Sequence, residues 1–324
     1  MEKNAVVRWL RQTAAALLLA LLCCNAAFAA QDYLIPGGFA VGIELRTHGI
    51  LISEVKPGSS AAAAGVQKGD TILKINGTAA ESIDTLRESV AEGKTVILTV
   101  EREEKEAEYL LQPQRCGGEW QLGLMVRDQL AGIGTVTYLD PATGDYGALG
   151  HGVSEVGTGR LLPVETGALV PASVASVRKG VRGTPGELRG TFDVTQRLGT
   201  VETNTECGIF GVMECIPRTP ALPVGTAAEV REGEASILAN VAGTDVREYS
   251  IRIDRVTADA ASGRNLLLTV TDPALLAVTG GIVQGMSGSP ILQDGKLIGA
   301  VTHVLVNHPE QGYGILIQTM LDAA

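Results

Sequence analysis

From Trp120 to the C-terminus the chain never settles into a long helical period. Short apolar runs alternate instead with Gly, Pro, Asp and Thr turns. Residues 121–126, 134–138, 173–177, 249–253, 266–270 and 297–301 all read as strands, and only 272–277 reads as a short helix. Regularly spaced short strands with turn signals between them predict a barrel or a sandwich. The 40 glycines and the 4% aromatic content of the 324 residues agree with a turn-rich β protein whose core is Val, Ile, Leu and Ala.

The N-terminus is different. Lys3, Arg8 and Arg11 precede an uncharged stretch over 12–31, and Ala27-Phe28-Ala29 gives a small-x-small pattern. A membrane-spanning helix needs about 20 such residues, and the positive flank would keep the N-terminus cytoplasmic and send the rest across. We expect 1–31 to be a signal peptide or a membrane anchor, leaving the remainder exported. Leu22 stands where lipoprotein cleavage before Cys23 and Cys24 needs a small residue, so those cysteines read as part of the apolar segment. Export permits a disulfide, and Cys207 with Cys215 could close a short loop, leaving Cys116 over. That odd count, with no paired C-x-x-C, argues against a zinc centre. The net charge of −10 without a basic run argues against nucleic acid.

Residues 32–115 read as one unit. A glycine-rich loop over 34–45 leads into a strand, and 49–55 is another. Helix 59–64 stops at Gly65, strand 71–75 precedes the tight turn Asn76-Gly77, and 82–91 has Ile83, Leu86 and Val90 at helical spacing. Strands 95–101 and 107–111 flank a charged hairpin tip. The pattern V-x-P-G-S-S-A-x-x-A-G-V-x-x-G-D-x-I-x-x-I-N-G, from Val55 to Gly77, resembles bacterial PDZ domains. By that resemblance Ala40, Val41, Gly42 and Ile43 are the loop whose inward amides bind a peptide's terminal carboxylate, the peptide adding a strand to the sheet edge. Gly117-Gly118 then reads as the linker to a second domain over 116–324.

Two islands in that domain carry chemistry. One is Gly147-Ala148-Leu149-Gly150-His151. The other, 280–291, contains the frame G-x-S-G-x-P around Ser287. A nucleophilic serine on a tight turn lets the amides of Gly285 and Ser287 converge on the oxyanion of a tetrahedral intermediate. A histidine must take the serine's proton, and a carboxylate must orient that imidazole. The frame selects Ser287 over Ser289; His303, on or near a strand just after this loop, is a rival base to His151 and reads rather as structural. No GxxxxGK[ST] or HExxH is present, so neither nucleotide nor metal chemistry is indicated. A serine nucleophile needs no cofactor.

The frame resembles the nucleophile loop of trypsin- and chymotrypsin-like peptidases, which implies a mainly β double-barrel peptidase domain. Taken with 121–138, Asp140-Pro141, 183–188 and 299–304, the two islands resemble a narrower group, the SpoIVB family of sporulation peptidases. That resemblance implies a serine endopeptidase acting between forespore and mother cell of an endospore-forming bacterium. It implies cleavage of a membrane-bound regulator that restrains an intramembrane protease, and so activation of a late sigma factor. It assigns His151 as general base, Ser287 as nucleophile and Asp272 as catalytic carboxylate. Asp272 before Pro273 also has the form of a helix N-cap, and Asp254 is the alternative carboxylate. The competing reading is a tethered, non-catalytic PDZ adaptor with a peptidase-like interaction domain. An HtrA-type enzyme is disfavoured because its PDZ domain follows the catalytic domain.

Overall fold

The computed structural model describes residues 33–324 except 104, 156–158 and 258–262. The expected signal or anchor segment over 1–31 lies outside the described residues. The protein is mainly β. Its elements begin with β1 (Tyr33–Pro36), β2 (Ala40–Val55), α1 (Ser60–Ala64), β3 (Thr71–Ile75), β4 (Thr78–Ala79) and α2 (Ile83–Val90). Then come β5 (Val96–Arg102), β6 (Lys105–Leu111), β7 (Gln114–Cys116), β8 (Glu119–Gln121), β9 (Leu124–Leu139), β10 (Asp145–Ala148) and β11 (Val164–Arg178). The short strands β12 (Glu187–Phe192), β13 (Gly199–Val201), β14 (Thr203–Thr205), β15 (Gly208–Val212) and β16 (Leu222–Pro223) follow. The last part holds β17 (Gly233–Asn240), β18 (Val246–Val256), β19 (Leu266–Val270), α3 (Pro273–Thr279), β20 (Pro290–Gln293), β21 (Lys296–Leu305), β22 (His308–Leu316) and α4 (Ile317–Leu321).

The last six strands close a barrel in the order β17-β18-β19-β22-β21-β20. Period-2 alternation turns Ile251 and Ile253 of β18 and Leu266, Leu268 and Val270 of β19 inward, where all are at most 2% exposed. The preceding strands build a 14-stranded sheet with the central order β14-β15-β10-β9-β2-β3-β5-β6. The PDZ-like unit and the first half of the peptidase part share that one sheet.

They share it because β2 and β9, 16 residues each, run antiparallel from Ala40↔Thr135 to Val55↔Leu124. One end of this ribbon sends Val41, Ile43 and Leu45 into a core with Val136, Tyr146, Leu169 and Ile209. The other end sends Ile50 and Ile52 into a core with Ile72, Leu86, Leu98 and Leu122. The PDZ-like unit is therefore inserted in the peptidase sheet, and 32–115 is not a separate block. β1 and the first half of β2 belong to the peptidase part, while Leu122 and the first turns of β9 belong to the PDZ-like core.

The carboxylate-loop assignment of Ala40, Val41, Gly42 and Ile43 is corrected by the same ribbon. All four lie in β2 and pair with β9, and Val41, Gly42 and Ile43 pair with β11 on the other side as well. All four are buried. A strand paired on both edges has no amides to offer a ligand. Gly117-Gly118 is also reassigned: it is the turn of the β7–β8 hairpin rather than a linker. The runs 121–126 and 134–138 were expected as two strands, yet from Leu124 onward they are one. The intervening Arg127, Asp128 and Gln129 look like a break in the apolar pattern, but they alternate along an open strand edge.

Within the PDZ-like unit the helix signals hold. Ser59 caps α1 by accepting from the Ala62 amide at 3.2 Å, and α2 is capped by Ser82. The Gly69-Asp70 turn is tied down by a buried ion pair. The Asp70 carboxylate, 1% exposed, accepts from Arg102 Nε and Nη2 at 2.6 Å each. Cys116, Cys207 and Cys215 are all free thiols.

Candidate active site

His151 and Ser287 line one cavity of about 440 Å³, together with Thr302, His303 and residues 130–133 of β9. Each arrives on its own turn. His151 follows β10 through Leu149 and Gly150, both at positive φ (70° and 67°). For a leucine that is a strained conformation, of the kind that persists where the surroundings dictate it. Ser287 sits on the turn between α3 and β20.

Glycine at 288 is required by close packing of the two turns. A Cβ there would lie 2.0 Å from the Thr135 carbonyl oxygen and 2.6 Å from the Leu149 nitrogen. Only glycine lets the serine turn approach the histidine turn this closely. β9 fastens the contact. Thr135 donates its amide to Ser287 O (3.1 Å) and its hydroxyl to Gly285 O (2.8 Å), and Thr137 donates its hydroxyl to Gly288 O (2.8 Å). Neither threonine stood out in the sequence, where both read as strand filler.

The same turn prepares an anion site. Gln284 O accepts from the Leu188 amide at 2.8 Å, and Met286 O accepts from the Ser289 amide at 2.9 Å. A trans peptide points its N–H opposite its C=O, so the Gly285 and Ser287 amides both turn away from those partners. Among the described residues these two amides donate to no acceptor, whereas those of Gln284, Met286, Gly288 and Ser289 all do. Two free amides on one strained turn are what an oxyanion needs.

The Ser287 hydroxyl donates to Thr302 O at 2.7 Å, and among the described residues no hydrogen bond joins it to His151. His151 Nδ1 lies 2.8 Å from Gly152 O. A carbonyl can only accept, so Nδ1 carries the proton and Nε2 keeps its lone pair. That is the tautomer a general base requires. Burial pushes the His151 pKa below 6.5, against the opposing pull of the Gly152 carbonyl.

Neither candidate carboxylate reaches this cavity. Asp272 is the N-cap of α3 and accepts from the Ala274 and Leu275 amides at 2.9 Å each. Asp254 is held by Arg252 Nε at 2.7 Å and by the Thr269 hydroxyl. The ring beside His151 is His303, with centroids 4.9 Å apart and planes tilted by 37°. Crowding by the cleft walls and, secondarily, the nearby His151 hold His303 down to about 4. Ser289 is fully buried.

A second cavity of about 1190 Å³ lies between α2 and the start of β9, against Leu86, Val90, Leu124 and Val126. The turn beside it is Leu122-Gly123-Leu124, a glycine between leucines inside a run, 121–126, whose apolar pattern suggests only a strand. Gly123 has φ +79°, and a Cβ there would meet that of Ser59 at 2.2 Å. Leu122 O accepts from the Ala61 amide (3.2 Å) and Gly123 O from the Lys56 amide (2.8 Å). By trans geometry the Gly123 and Leu124 amides point away from those partners, and both residues line the cavity.

The family model described as SpoIVB peptidase S55 matches residues 118–321, and a PDZ domain model matches 51–102. No curated protein matches the chain. Among solved structures, the PDZ domain of the SdrC-like protein from Listeria monocytogenes is 22% identical over 25% of this chain and 90% of that one, with a TM-score of 0.23. The HtrA-type protease AlgW with tripeptide is 14% identical over 59% of this chain and 54% of its own, at 0.35. The Rv3671c protease from M. tuberculosis, active form, is 15% identical over 60% and 72%, at 0.33. The chain spans about half the length of the HtrA-type protease. With the family model covering most of its length, the chain belongs to the SpoIVB peptidase S55 family: it is a serine endopeptidase that carries a PDZ domain.

Proposed function

We propose that this serine endopeptidase acts in endospore formation, exported to the space between forespore and mother cell and tethered or released through residues 1–31. Its substrate is a membrane-associated regulatory protein that restrains an intramembrane protease, and its cut releases late sigma-factor processing. Ser287 is the nucleophile and His151 the base. The Gly285 and Ser287 amides bind the oxyanion. The observation that supports this most is the pair of unpartnered amides on the Ser287 turn, in a cavity shared with His151 in its base-competent tautomer. Attack requires the Ser287 hydroxyl to rotate from Thr302 O toward Nε2; His151 then passes that proton to the departing amine.

The test is proteolysis of the exposed domain of a candidate sporulation membrane regulator by the full chain and by its Ser287→Ala variant. Cleavage by the parent alone is expected. No cleavage by either folded protein, across several such regulators, supports the adaptor reading instead.

A further inference from the structure

We infer that one substrate chain occupies both cavities at once, its free C-terminus held at the PDZ cavity while the bond about ten residues earlier is cut at Ser287. This rests on the serine endopeptidase reading above and adds a rule for where it cuts.

The physical basis is the edge of β9. β9 pairs with β2 along one side, and on the other side pairing with β10 begins only at Val136. Among the described residues, 124–134 therefore present an edge with no strand partner. A sheet edge of this kind is a template for an added strand. It begins at the Gly123 and Leu124 amides and ends where Thr135 bonds the nucleophile turn. Backbone groups alternate along a strand. Since Thr135 aims its amide at Ser287, Ile133 and Ala131 direct theirs to the same edge. The catalytic cavity is lined by 130–133, and the PDZ cavity by 121–127.

Chain polarity agrees at both ends. A peptide pairing antiparallel with β9, its carboxylate at Gly123-Leu124, runs backward in its own sequence as β9 runs forward. Its earlier residues then reach the catalytic cavity. At that cavity the proton goes from His151 to the leaving amine, so the departing C-terminal fragment lies on the His151 side. His151 follows β10, which pairs with β9, so that side is the wall that the β9 edge continues. The acyl half faces the Gly285–Ser287 turn.

Charge agrees as well. In a chain of net charge −10, the PDZ cavity is lined by Lys56, Arg87, Arg115 and Arg127 against one acid, Glu119. That surface attracts a carboxylate, while Leu86 and Val90 suit an apolar last side chain. Asp128 holds α2 in place beside β9 by accepting from the Ile83 amide at 2.9 Å. Nine steps separate Leu124 from Ile133. At about 3.3 Å each they span about 30 Å, and antiparallel pairing matches a ligand nearly residue for residue.

The test offers the full chain a pool of random twenty-residue peptides ending in an apolar residue with a free carboxylate. A second pool is amidated, and a third carries four extra N-terminal residues. Mass spectrometry reads each cut position. Cuts clustered about ten residues before the carboxylate, unmoved by the N-terminal extension, and at least tenfold slower cutting of the amidated pool are expected. Scattered cuts, or equal cutting of acid and amide, overturn the proposal. If a fluorophosphonate labels Ser287 but no pool is cut, the rule fails while the serine peptidase reading stands. If neither labelling nor cutting occurs, both fail.

Discussion

The amide of Thr135 donates to the carbonyl of Ser287 at 3.1 Å, and the Thr135 hydroxyl donates to Gly285 O at 2.8 Å, so a single strand residue braces both ends of the anion-binding turn. Its side chain is not in line to touch a reacting atom. Its effect is to fix the carbonyls of Gly285 and Ser287, and with them the turn that carries the two unpartnered amides. Thr135 is only 2% exposed.

Thr135→Val keeps the shape, removes the hydroxyl and leaves Gly285 O without that donor. A lost buried hydrogen bond costs about 1 kcal/mol, and misalignment of an oxyanion donor falls on kcat. The expected outcome is a roughly tenfold lower kcat with KM little changed. Thr135→Ser restores the donor and most of the rate. Steady-state kinetics on one peptide substrate, with thermal melts as control, reads both. Equal loss in the Ser and Val variants would assign the effect to packing instead.

The G-x-S-G-x-P frame contains two serines, and the fold separates them. Ser289 is 0% exposed, whereas Ser287 faces the cavity. Fluorophosphonate labelling is expected at Ser287 alone. Ser287→Ala abolishes labelling and lowers cleavage by about a thousandfold or more, with the melting temperature nearly unchanged, because among the described residues its only side-chain hydrogen bond is to Thr302 O. Ser289→Ala keeps both labelling and cleavage. Peptide mapping of the label decides between them.

The pH dependence follows from burial of an imidazole that, among the described residues, has no carboxylate in its cavity. The base is active when neutral, and burial holds His151 below 6.5. kcat/KM is therefore expected to stay flat from neutral pH down through 6.5 and to fall only at more acid pH. Stability moves in the same direction. Below 6.5 the unfolded chain binds a proton that the folded chain refuses, so the contribution of His151 is full above 6.5 and is lost as pH falls. His303, held near 4, stays neutral over most of that window. A pH–rate profile whose acid limb lies above 6.5 would falsify this account and point to an anionic neighbour.

Much of this was legible in the sequence, for local reasons. Ser59 to Gly65 states its own helix caps, residues 71–75 and 266–270 are strands as read, and the glycine frame around Ser287 describes a turn whatever surrounds it. What could not be read is non-local. Residues 40–43 look like a PDZ loop because glycine beside small apolar residues suits one. Their pairing with β9, and that of 41–43 with β11 as well, is set by strands 80 or more positions away in sequence, and no local pattern encodes it. The length of β9 was hidden because alternation along an unpaired edge looks like a loop. Likewise the closeness of the His151 and His303 rings depends on two separate segments meeting in space, while the N-cap pattern Asp272-Pro273 is local.

Asp272 offers the sharpest separation of a structural role from a chemical one. Its side chain accepts from the Ala274 and Leu275 amides at the start of α3 and more weakly from the Ser250 amide at 3.4 Å, and it does not line the catalytic cavity. Asparagine caps helices as well as aspartate does, and alanine does not. Asp272→Asn is therefore expected to melt within a degree or two of the parent, whereas Asp272→Ala loses about 1 kcal/mol of stability. In the arrangement seen here, cleavage by both variants follows the folded fraction. Thermal melts and peptide cleavage measured on the same preparations separate the roles. An Asn variant with parental stability and lost cleavage would mean that the Asp272 carboxylate leaves its cap and joins the chemistry in another conformation. An Asn variant with parental cleavage leaves the Gly152 carbonyl as the group that fixes the His151 tautomer.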